Sequence, residues 1–514
     1  MLRYFFDKSE PKNKQLFKGL KIWQTNENIK HHCCKYPVIY LTFKDAKADI
    51  WDKCYELIVS EIVNLYSEHD YLLKNDTLKN HEKNKYDRIL NETASETEYQ
   101  ESLKHLCKYL ERYYKEKVVF LIDEYDTPIQ ASYKDFYKEA ISFMRGLLSG
   151  ALKDNSSLFR GIITGILRVS KESIFSGLNN ISVYSILDNK FSDKFGFTET
   201  EIKKIITDFK VDTKYLQIKK WYNGYKFGNT SGIYNPWSIL NYVVEPNAGF
   251  KTFWTYTSSN ELIKEQIKKK DAVGIRAEML ELINGETVKK DLEENFVFPD
   301  LDTKKKLLWT LLTYSGYLTI NNEISRKKYE LTIPNYEIKT IFQDTILEWL
   351  EDDIKIKQSL LENTANYLVN NEITKFESGF KQIIGDTFSY YDSSKNHEYV
   401  YHAYILGLLA IIGDDYIIKS NKESGEGRYD IMLIPIVKLR HGVAQHGIVI
   451  EIKQTEKQQG NESNDEFAKR VNKQIKEATN QIDKNKYYKE LIDNKIEPDK
   501  KVFDLEKRPH LVNR

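Results

Sequence analysis

The sequence lacks a strong charge of either sign. Its 514 residues include 77 lysines and arginines and 76 aspartates and glutamates, which gives a net charge of +1. This balance excludes binding of nucleic acid through bulk charge, so any basic surface must be local. No apolar run approaches the roughly 18 residues of a membrane span, and no apolar leader with a cleavage site opens the chain. We therefore expect neither a membrane span nor a signal peptide.

Cysteine is also scarce, since four cysteines in a chain of this length are too few for a disulfide framework. Cys33 and Cys34 are adjacent and follow His31 and His32, but no second pair lies at zinc-finger spacing. We interpret this cluster as a loop that leads into a strand, not as a metal site. Reduced cysteines and the absence of an export signal predict a cytoplasmic protein.

The first part of the chain, residues 1–240, alternates apolar strands with helices. The stretches YPVIYLTF, VVFLID and RGIITGI are apolar and β-branched, as strands buried on both faces should be. Helical segments separate them. The pattern predicts a parallel α/β sheet as the first domain.

Two acids, Asp123 and Glu124, end the second of these strands. Ligands of open α/β sheets bind at the carboxyl edge, where one acid can hold Mg²⁺ through water and the next can orient a hydrolytic water. The alternative is a pair of solvated acids. The sequence has no G-x-x-x-x-G-K-[ST] phosphate-binding loop.

The middle of the chain, residues 241–384, is predicted to be mostly helical. Over residues 304–350 the order is helix, strand, turn, strand, helix, which is typical of a winged-helix unit. Such a unit could read DNA or could serve only as a spacer.

The last part, residues 385–514, is predicted to be a separate α/β domain with the order helix, three strands, helix. Period-2 alternation puts Glu451 and Lys453 on one face of a strand, and a hairpin would bring Asp430 beside Glu451. Two adjacent carboxylates repel unless a cation such as Mg²⁺ or Mn²⁺ lies between them, and the lysine would stabilise transition-state charge. This D…ExK arrangement is the PD-(D/E)XK nuclease pattern. The alternative is a structural ion-pair cluster or a decayed site.

Several longer motifs resemble one family. The stretches FLIDEYDTPIQASY, GIITGILRVSKESIFSGLNNISVYSI, WYNGYKFG, IYNPWSIL and ESGEGRYDIMLIP are similar to predicted bacterial AAA-ATPase-like proteins with a C-terminal PD-(D/E)XK nuclease domain. The resemblance covers nearly the whole chain and implies that the first domain is a truncated parallel α/β domain of the P-loop type. It implies that Asp123 and Glu124 are the Walker B acids, that Thr164 is a polar sensor and that Arg168 contacts phosphate.

For the last domain, the resemblance implies that Glu398 is a further metal-facing acid. It also implies that Gln481 holds the site or contacts backbone phosphate. We expect Lys419 and Arg428 to flank the metal as phosphate partners. Family members place a Walker A loop upstream of a segment like MLRYFFD, so we expect an N-terminally truncated member in which the family's cofactor, ATP, binds weakly.

The sequence as a whole predicts a Mg²⁺-dependent nuclease acting on nucleic acid, with DNA favoured, fused to a degenerate AAA-ATPase-like module. One alternative is a non-catalytic protein that binds nucleic acid or regulates another activity. The other is an ATP-driven enzyme whose true start lies upstream.

Overall fold

The computed structural model describes the chain except at residues 26, 75, 167–180, 257–272, 295–297, 305, 353–355, 391–406, 408–410, 421–422, 425–426, 429–430, 437–438, 441–442, 445, 451–461, 495 and 497–514. It divides into two compact units. The first comprises Met1–Ser185 and Asp291–Ser315, and the second Ile186–Lys290 and Gly316–Arg514. The predicted boundaries at residues 240 and 384 remain predictions.

The helices of the described residues are α1 (Leu2–Phe6), α2 (Lys14–Phe17), α3 (Glu27–Lys30), α4 (Trp51–Glu68), α5 (Asn80–Leu90), α6 (Glu96–Tyr114), α7 (Thr127–Ser132), α8 (Tyr137–Leu152), α9 (Glu199–Asp208), α10 (Tyr215–Tyr222), α11 (Pro236–Val244), α12 (Val273–Ile283), α13 (Lys306–Tyr314), α14 (Tyr336–Asp352), α15 (Gln358–Val369), α16 (Ile373–Tyr390), α17 (Asn464–Lys484) and α18 (Lys489–Asp493). None of them is both long enough and apolar enough to span a membrane.

The strands of the same residues are β1 (Val38–Thr42), β2 (Val118–Asp123), β3 (Leu158–Ile163), β4 (Tyr225–Phe227), β5 (Thr230–Ile233), β6 (Val288–Asp291), β7 (Thr319–Ser325), β8 (Lys328–Thr332), β9 (Tyr416–Ser420), β10 (Glu423–Ser424), β11 (Gly427–Arg428), β12 (Ile431–Pro435), β13 (Leu439–Arg440), β14 (Val443–Ala444) and β15 (Ile448–Ile450).

The first unit is built on the parallel sheet β1-β2-β3, which confirms the predicted sheet. One face carries a cluster of Tyr36, Val38, Val119 and Leu121, against which Phe6 of α1 packs. The opposite side chains of β1 and β2 are also buried, and α4 and α6 contact these strands. Burial on both faces explains why these strands read as continuous apolar runs.

The second unit has a separate core around α9, α10 and α11, formed by Ile202, Ile206, Val211, Ile218, Tyr222, Tyr234, Ile239, Tyr242 and Val243. The turn after α10 requires glycine at residue 224. Its φ is +112°, and a Cβ there would lie 1.8 Å from the carbonyl oxygen of Pro334. Only glycine combines this backbone conformation with such a close approach.

The elements of the predicted winged helix are present, but they do not fall in one unit. The helix α13 belongs to the first unit, whereas the antiparallel hairpin β7–β8 belongs to the second. In the second unit β8 also pairs with β6. The winged-helix assignment therefore stays a prediction.

The C-terminal part of the second unit contains the antiparallel sheet β15-β12-β9. Met432 and Ile434 of its central strand pack on Tyr487 and Leu491, which follow α17. The predicted strand and helix order is confirmed for these elements. The predicted helix over residues 397–412 lies largely outside the described residues.

Candidate functional site

The carboxyl edge of the parallel sheet brings polar residues from neighbouring strands together. Asp123 is the last residue of β2, and its registered partner on β1 is Thr42. Thr164 directly follows β3. Because parallel strands end at the same edge, side chains far apart in sequence meet there.

The structure brings two of the predicted site residues into direct contact. The hydroxyl of Thr164 donates a hydrogen bond to Oδ1 of Asp123, and the amide of Glu124 donates to the same oxygen at 3.2 Å. The backbone of Thr164 is fixed by its amide, which donates to the carbonyl of Ile122 at 2.9 Å. Within the described part of the chain, Oδ2 of Asp123 has no hydrogen-bond partner. This second oxygen fits the ligand chemistry of Mg²⁺ or of a metal-bound water.

The neighbouring acid, Glu124, has a constrained backbone. Its φ is +52°, in the left-handed region that side chains other than glycine rarely adopt. The hydroxyl of Thr127, in the first turn of α7, donates to its Oε2 at 3.3 Å. Such a backbone costs about 1–3 kcal/mol and persists only when its surroundings enforce it.

A third acid, Asp126, holds this edge together and was not singled out from the sequence. Its side chain is only 2% exposed, and its Oδ2 accepts a hydrogen bond from the amide of Ile166 at 3.0 Å. A Cβ on Gly165 would lie 2.5 Å from its Oδ1. Asp126 therefore anchors the segment that carries Thr164. The signal was available, because a third acid follows in the same D-E-Y-D motif.

A nearby tyrosine responds to the charge at this edge. Burial raises the pKa of Tyr40 on β1, and the negative charge of Asp123 raises it further. The guanidinium of Arg3, 5.4 Å from the ring centroid of Tyr40, acts in the opposite direction. The carboxylates at this edge and the guanidinium of Arg3 therefore act on Tyr40 in opposite directions.

Five of the predicted site residues lie outside the described residues. They are Arg168, Glu398, Asp430, Glu451 and Lys453. Within the part of the chain that the structure describes, no group of three or more histidine, cysteine, aspartate or glutamate side chains could hold a metal.

Among the predicted residues of the last domain that the structure describes, Gln481 lies on α17 beside the C-terminal sheet. Its side-chain amide donates to the hydroxyl of Tyr487 at 2.9 Å, and that of Asn485 donates to the same oxygen at 3.0 Å. Tyr487 is 1% exposed and packs on Met432 of β12. Gln481 is thus tied to the sheet through a buried tyrosine, and the role of Asn485 was not foreseen.

Lys419 of β9 has a carboxylate partner that the sequence did not indicate. Its ammonium donates to a carboxylate oxygen of Glu490 on α18. As a phosphate partner, Lys419 would have to exchange this ion pair for a phosphate contact.

Comparison with known protein families gives a match in the N-terminal part of the chain and another in the C-terminal part. Residues 1–175 match the family of predicted AAA-ATPases. Residues 396–505 match the PD-(D/E)XK nuclease superfamily. The chain therefore carries an AAA-ATPase-like domain and a C-terminal domain of the PD-(D/E)XK nuclease superfamily, as the sequence motifs predicted.

One curated relative is the "Uncharacterized protein in vnfD 5'region" of Azotobacter chroococcum mcd 1. The two sequences are 28% identical over 239 residues, which is 45% of this chain and 43% of the relative. The match thus spans less than half the length of that relative. No solved structure matches the chain.

Proposed function

We propose that this protein is a Mg²⁺-dependent nuclease that hydrolyses phosphodiester bonds of nucleic acid, with DNA as its substrate. In this proposal Asp430 and Glu451 hold the metal, Glu398 is a further ligand, and Lys453 stabilises charge on the scissile phosphate. The match of residues 396–505 to the PD-(D/E)XK nuclease superfamily supports the reaction class.

The observation that carries the proposal is the register of β12 and β15. Ile431 pairs with Ile450, and Met432 pairs with Val449. If this antiparallel ladder continues by one pair, Asp430 stands opposite Glu451. Directly opposed residues share a face, with Cβ atoms about 4.5–5.5 Å apart. This register supports a carboxylate pair at the end of the ladder.

The alternation of side chains between the two faces of a strand supports a role for Gln481. Met432 and Val449 are two residues along the strands from the predicted acids, so their face is the face those acids would share. Both side chains pack into the cluster that contains Tyr487. Because Gln481 donates to the Tyr487 hydroxyl, we assign it the task of fixing α17 over this face.

The chemistry follows from the charges. Two carboxylates at this separation repel, and Mg²⁺ relieves the repulsion while retaining waters and substrate phosphate oxygens as its other ligands. The metal lowers the pKa of a bound water and polarises the phosphate. Lys453, two residues beyond Glu451, would add a positive charge where negative charge develops.

The test is a cleavage assay with the full chain on single-stranded, duplex and branched DNA and on RNA. We expect cleavage in Mg²⁺ or Mn²⁺ but not in Ca²⁺, whose looser coordination does not hold the water in line. Asp430→Asn and Glu451→Gln should each abolish cleavage. Glu124→Gln, at the sheet edge of the first unit, is the matched acid-to-amide control and should cut DNA like wild type.

Two results would contradict the proposal. Equal cleavage by wild type and Glu451→Gln would assign the activity to another site. Metal-independent binding of DNA without cleavage would favour the alternative of a non-catalytic nucleic-acid-binding protein, with the AAA-ATPase-like domain as a scaffold.

For the first unit we propose weak binding of Mg²⁺–ATP at the edge that carries Asp123, without significant turnover. The contact between Asp123 and Thr164 favours a metal-assisted nucleotide site. Calorimetry should give a weak affinity that Asp123→Asn lowers further. Micromolar affinity with turnover lost in Glu124→Gln would instead support the ATP-driven alternative.

A further inference from the structure

The four cysteines fall into two classes. Cys54 on α4 and Cys107 on α6 are fully buried. Cys33 and Cys34 are half-buried and lie in the turn between α3 and β1. Their two sulfur atoms are 3.7 Å apart. The chain therefore presents one accessible pair of adjacent thiols.

The backbone holds this pair in place. The amide of Cys33 donates to the carbonyl of Lys30 at 3.0 Å, and that of Cys34 donates to the carbonyl of Phe5 on α1 at 2.7 Å. The φ of Cys34 is +54°, in the left-handed region. A residue other than glycine keeps this conformation only where its surroundings enforce it, so the turn fixes the backbone positions of both cysteines.

The neighbouring histidines have other partners. Nε2 of His31 lies 2.7 Å from the ammonium of Lys35. Nδ1 of His32 lies 2.6 Å from the hydroxyl of Tyr36, and the two rings stack. One ring nitrogen of each histidine is therefore engaged by a neighbouring side chain, whereas the two sulfurs lie beside each other.

We infer that Cys33 and Cys34 form a reversible oxidation site, which closes into a disulfide between neighbouring residues on reaction with a small-molecule disulfide of the glutathione type. In the first step one cysteine thiolate attacks the small disulfide and expels one small thiol, leaving a mixed disulfide. In the second step the neighbouring thiolate attacks the protein sulfur of that bond and expels the second small thiol. The protein loses two protons and two electrons, and the small disulfide takes them up and is reduced to two thiols.

The geometry of the turn favours both the formation and the reduction of a disulfide between Cys33 and Cys34. Closure brings the sulfurs from 3.7 Å to about 2 Å, over a short distance within one turn. Neighbouring Cα atoms are about 3.8 Å apart, closer than the usual span of a disulfide, so the closed bond is strained and easily reduced. Burial and the neighbouring thiol raise the pKa of Cys33 to about 11, so closure should be faster at higher pH.

The experiment uses the full chain in its reduced form, incubated with oxidised glutathione at pH 8. Trypsin cuts after Lys30 and Lys35 and releases peptide 31–35, which mass spectrometry can follow. We expect this peptide to lose two hydrogens, with complete recovery of both thiols on treatment with a dithiol reductant. Cys33→Ser and Cys34→Ser should each stop at the mixed disulfide with glutathione.

Cys54→Ser is the control, because a buried thiol should not take part and its peptide 31–35 should behave like that of wild type. An unmodified wild-type peptide would overturn the inference. So would a stable mixed disulfide in wild type, or a disulfide between two chains. The readout does not depend on cleavage of DNA, so it stands apart from the proposed nuclease function.

Discussion

The acidic edge of the first unit and the C-terminal sheet of the second unit place carboxylates in different ways. At the first, Asp123 and Glu124 are neighbours in sequence, and the parallel strand β3 brings Thr164 to them. At the second, the proposed pair comes from different strands of an antiparallel sheet, and its meeting depends on the register of Ile431 with Ile450. The first arrangement is local, whereas the second depends on strand pairing.

This difference has a physical consequence. Side chains on consecutive residues of a strand point to opposite faces, so Asp123 and Glu124 cannot share one task unless the strand ends between them. The left-handed backbone of Glu124 ends it there. Opposed residues of an antiparallel ladder share a face without any such strain, but a slip of one residue would separate them.

The largest expected effect concerns the C-terminal sheet. Lys453→Ala should lower the rate of DNA cleavage on the order of 10²-fold or more, because it removes a charge that acts mainly in the transition state. Affinity for Mn²⁺, measured by calorimetry, should stay close to wild type. Lys469→Ala, an exposed lysine on α17, is the matched control and should leave the cleavage rate unchanged. A Lys453→Ala variant that cuts at the wild-type rate would remove the lysine from the site.

The next effect is a difference in pH dependence between one buried carboxyl of the first unit and one of the second. In the first unit, two hydrogen bonds of 2.6 Å from Arg112 lower the pKa of Glu82 to about 2. In the second unit, burial raises the pKa of Glu337 to about 7, although the hydroxyl of Ser238 donates to it at 2.8 Å. The two carboxyls should therefore respond to pH in opposite directions.

The direction follows from proton linkage. Because the folded pKa of Glu82 is lowered, its contribution is present above the unfolded value near 4.5 and is lost as the pH falls toward 2. Because the folded pKa of Glu337 is raised, its contribution is present below about 4.5 and is lost as the pH rises through 7. Each shift corresponds to at most about 3 kcal/mol.

Urea denaturation at pH 5 and pH 7.5 tests the second half of this contrast. The free energy of unfolding of the second unit should fall over this interval in wild type and should change less in Glu337→Gln. The Glu82 carboxyl is already ionised at both pH values in wild type, so the Glu82→Gln variant should keep the wild-type pH dependence. If the free energy of unfolding changed by the same amount between pH 5 and pH 7.5 in wild type and in Glu337→Gln, the Glu337 carboxyl would not titrate in this range.

The smallest effect compares two hydroxyls. Tyr487→Phe removes the buried acceptor of the Gln481 and Asn485 amides and should cost about 1–3 kcal/mol of unfolding free energy. Thr164→Val removes an exposed hydroxyl from the edge of the first unit. In this variant Asp123 still accepts the hydrogen bond from the amide of Glu124, so the free energy of unfolding should change by less than about 0.5 kcal/mol. Urea denaturation with local hydrogen exchange measures both. A larger loss in Thr164→Val than in Tyr487→Phe would reverse the assignment of the more tightly held site.

Much of this protein is determined by the sequence alone. Apolar runs predicted the three parallel strands. For β1 and β2 the reason is burial on both faces, which requires apolar side chains at every position, whereas residues 159–161 of β3 are exposed. The position of Asp123 at a strand end and the family motifs at both ends of the chain were likewise readable. These features depend on residues close together in the sequence, where hydrophobic period and strand length are local properties.

The tertiary structure decided which distant residues meet. Nothing in the local pattern indicated that Asp126 would bind the amide of Ile166, or that Glu490 would pair with Lys419. Nor did it indicate that α13 and the β7–β8 hairpin would fall in different units. Such contacts depend on strand register, on the path of the chain between elements and on the packing of buried side chains. These quantities are set by the whole fold, because each polar group removed from water takes the partner that the surrounding backbone brings within reach.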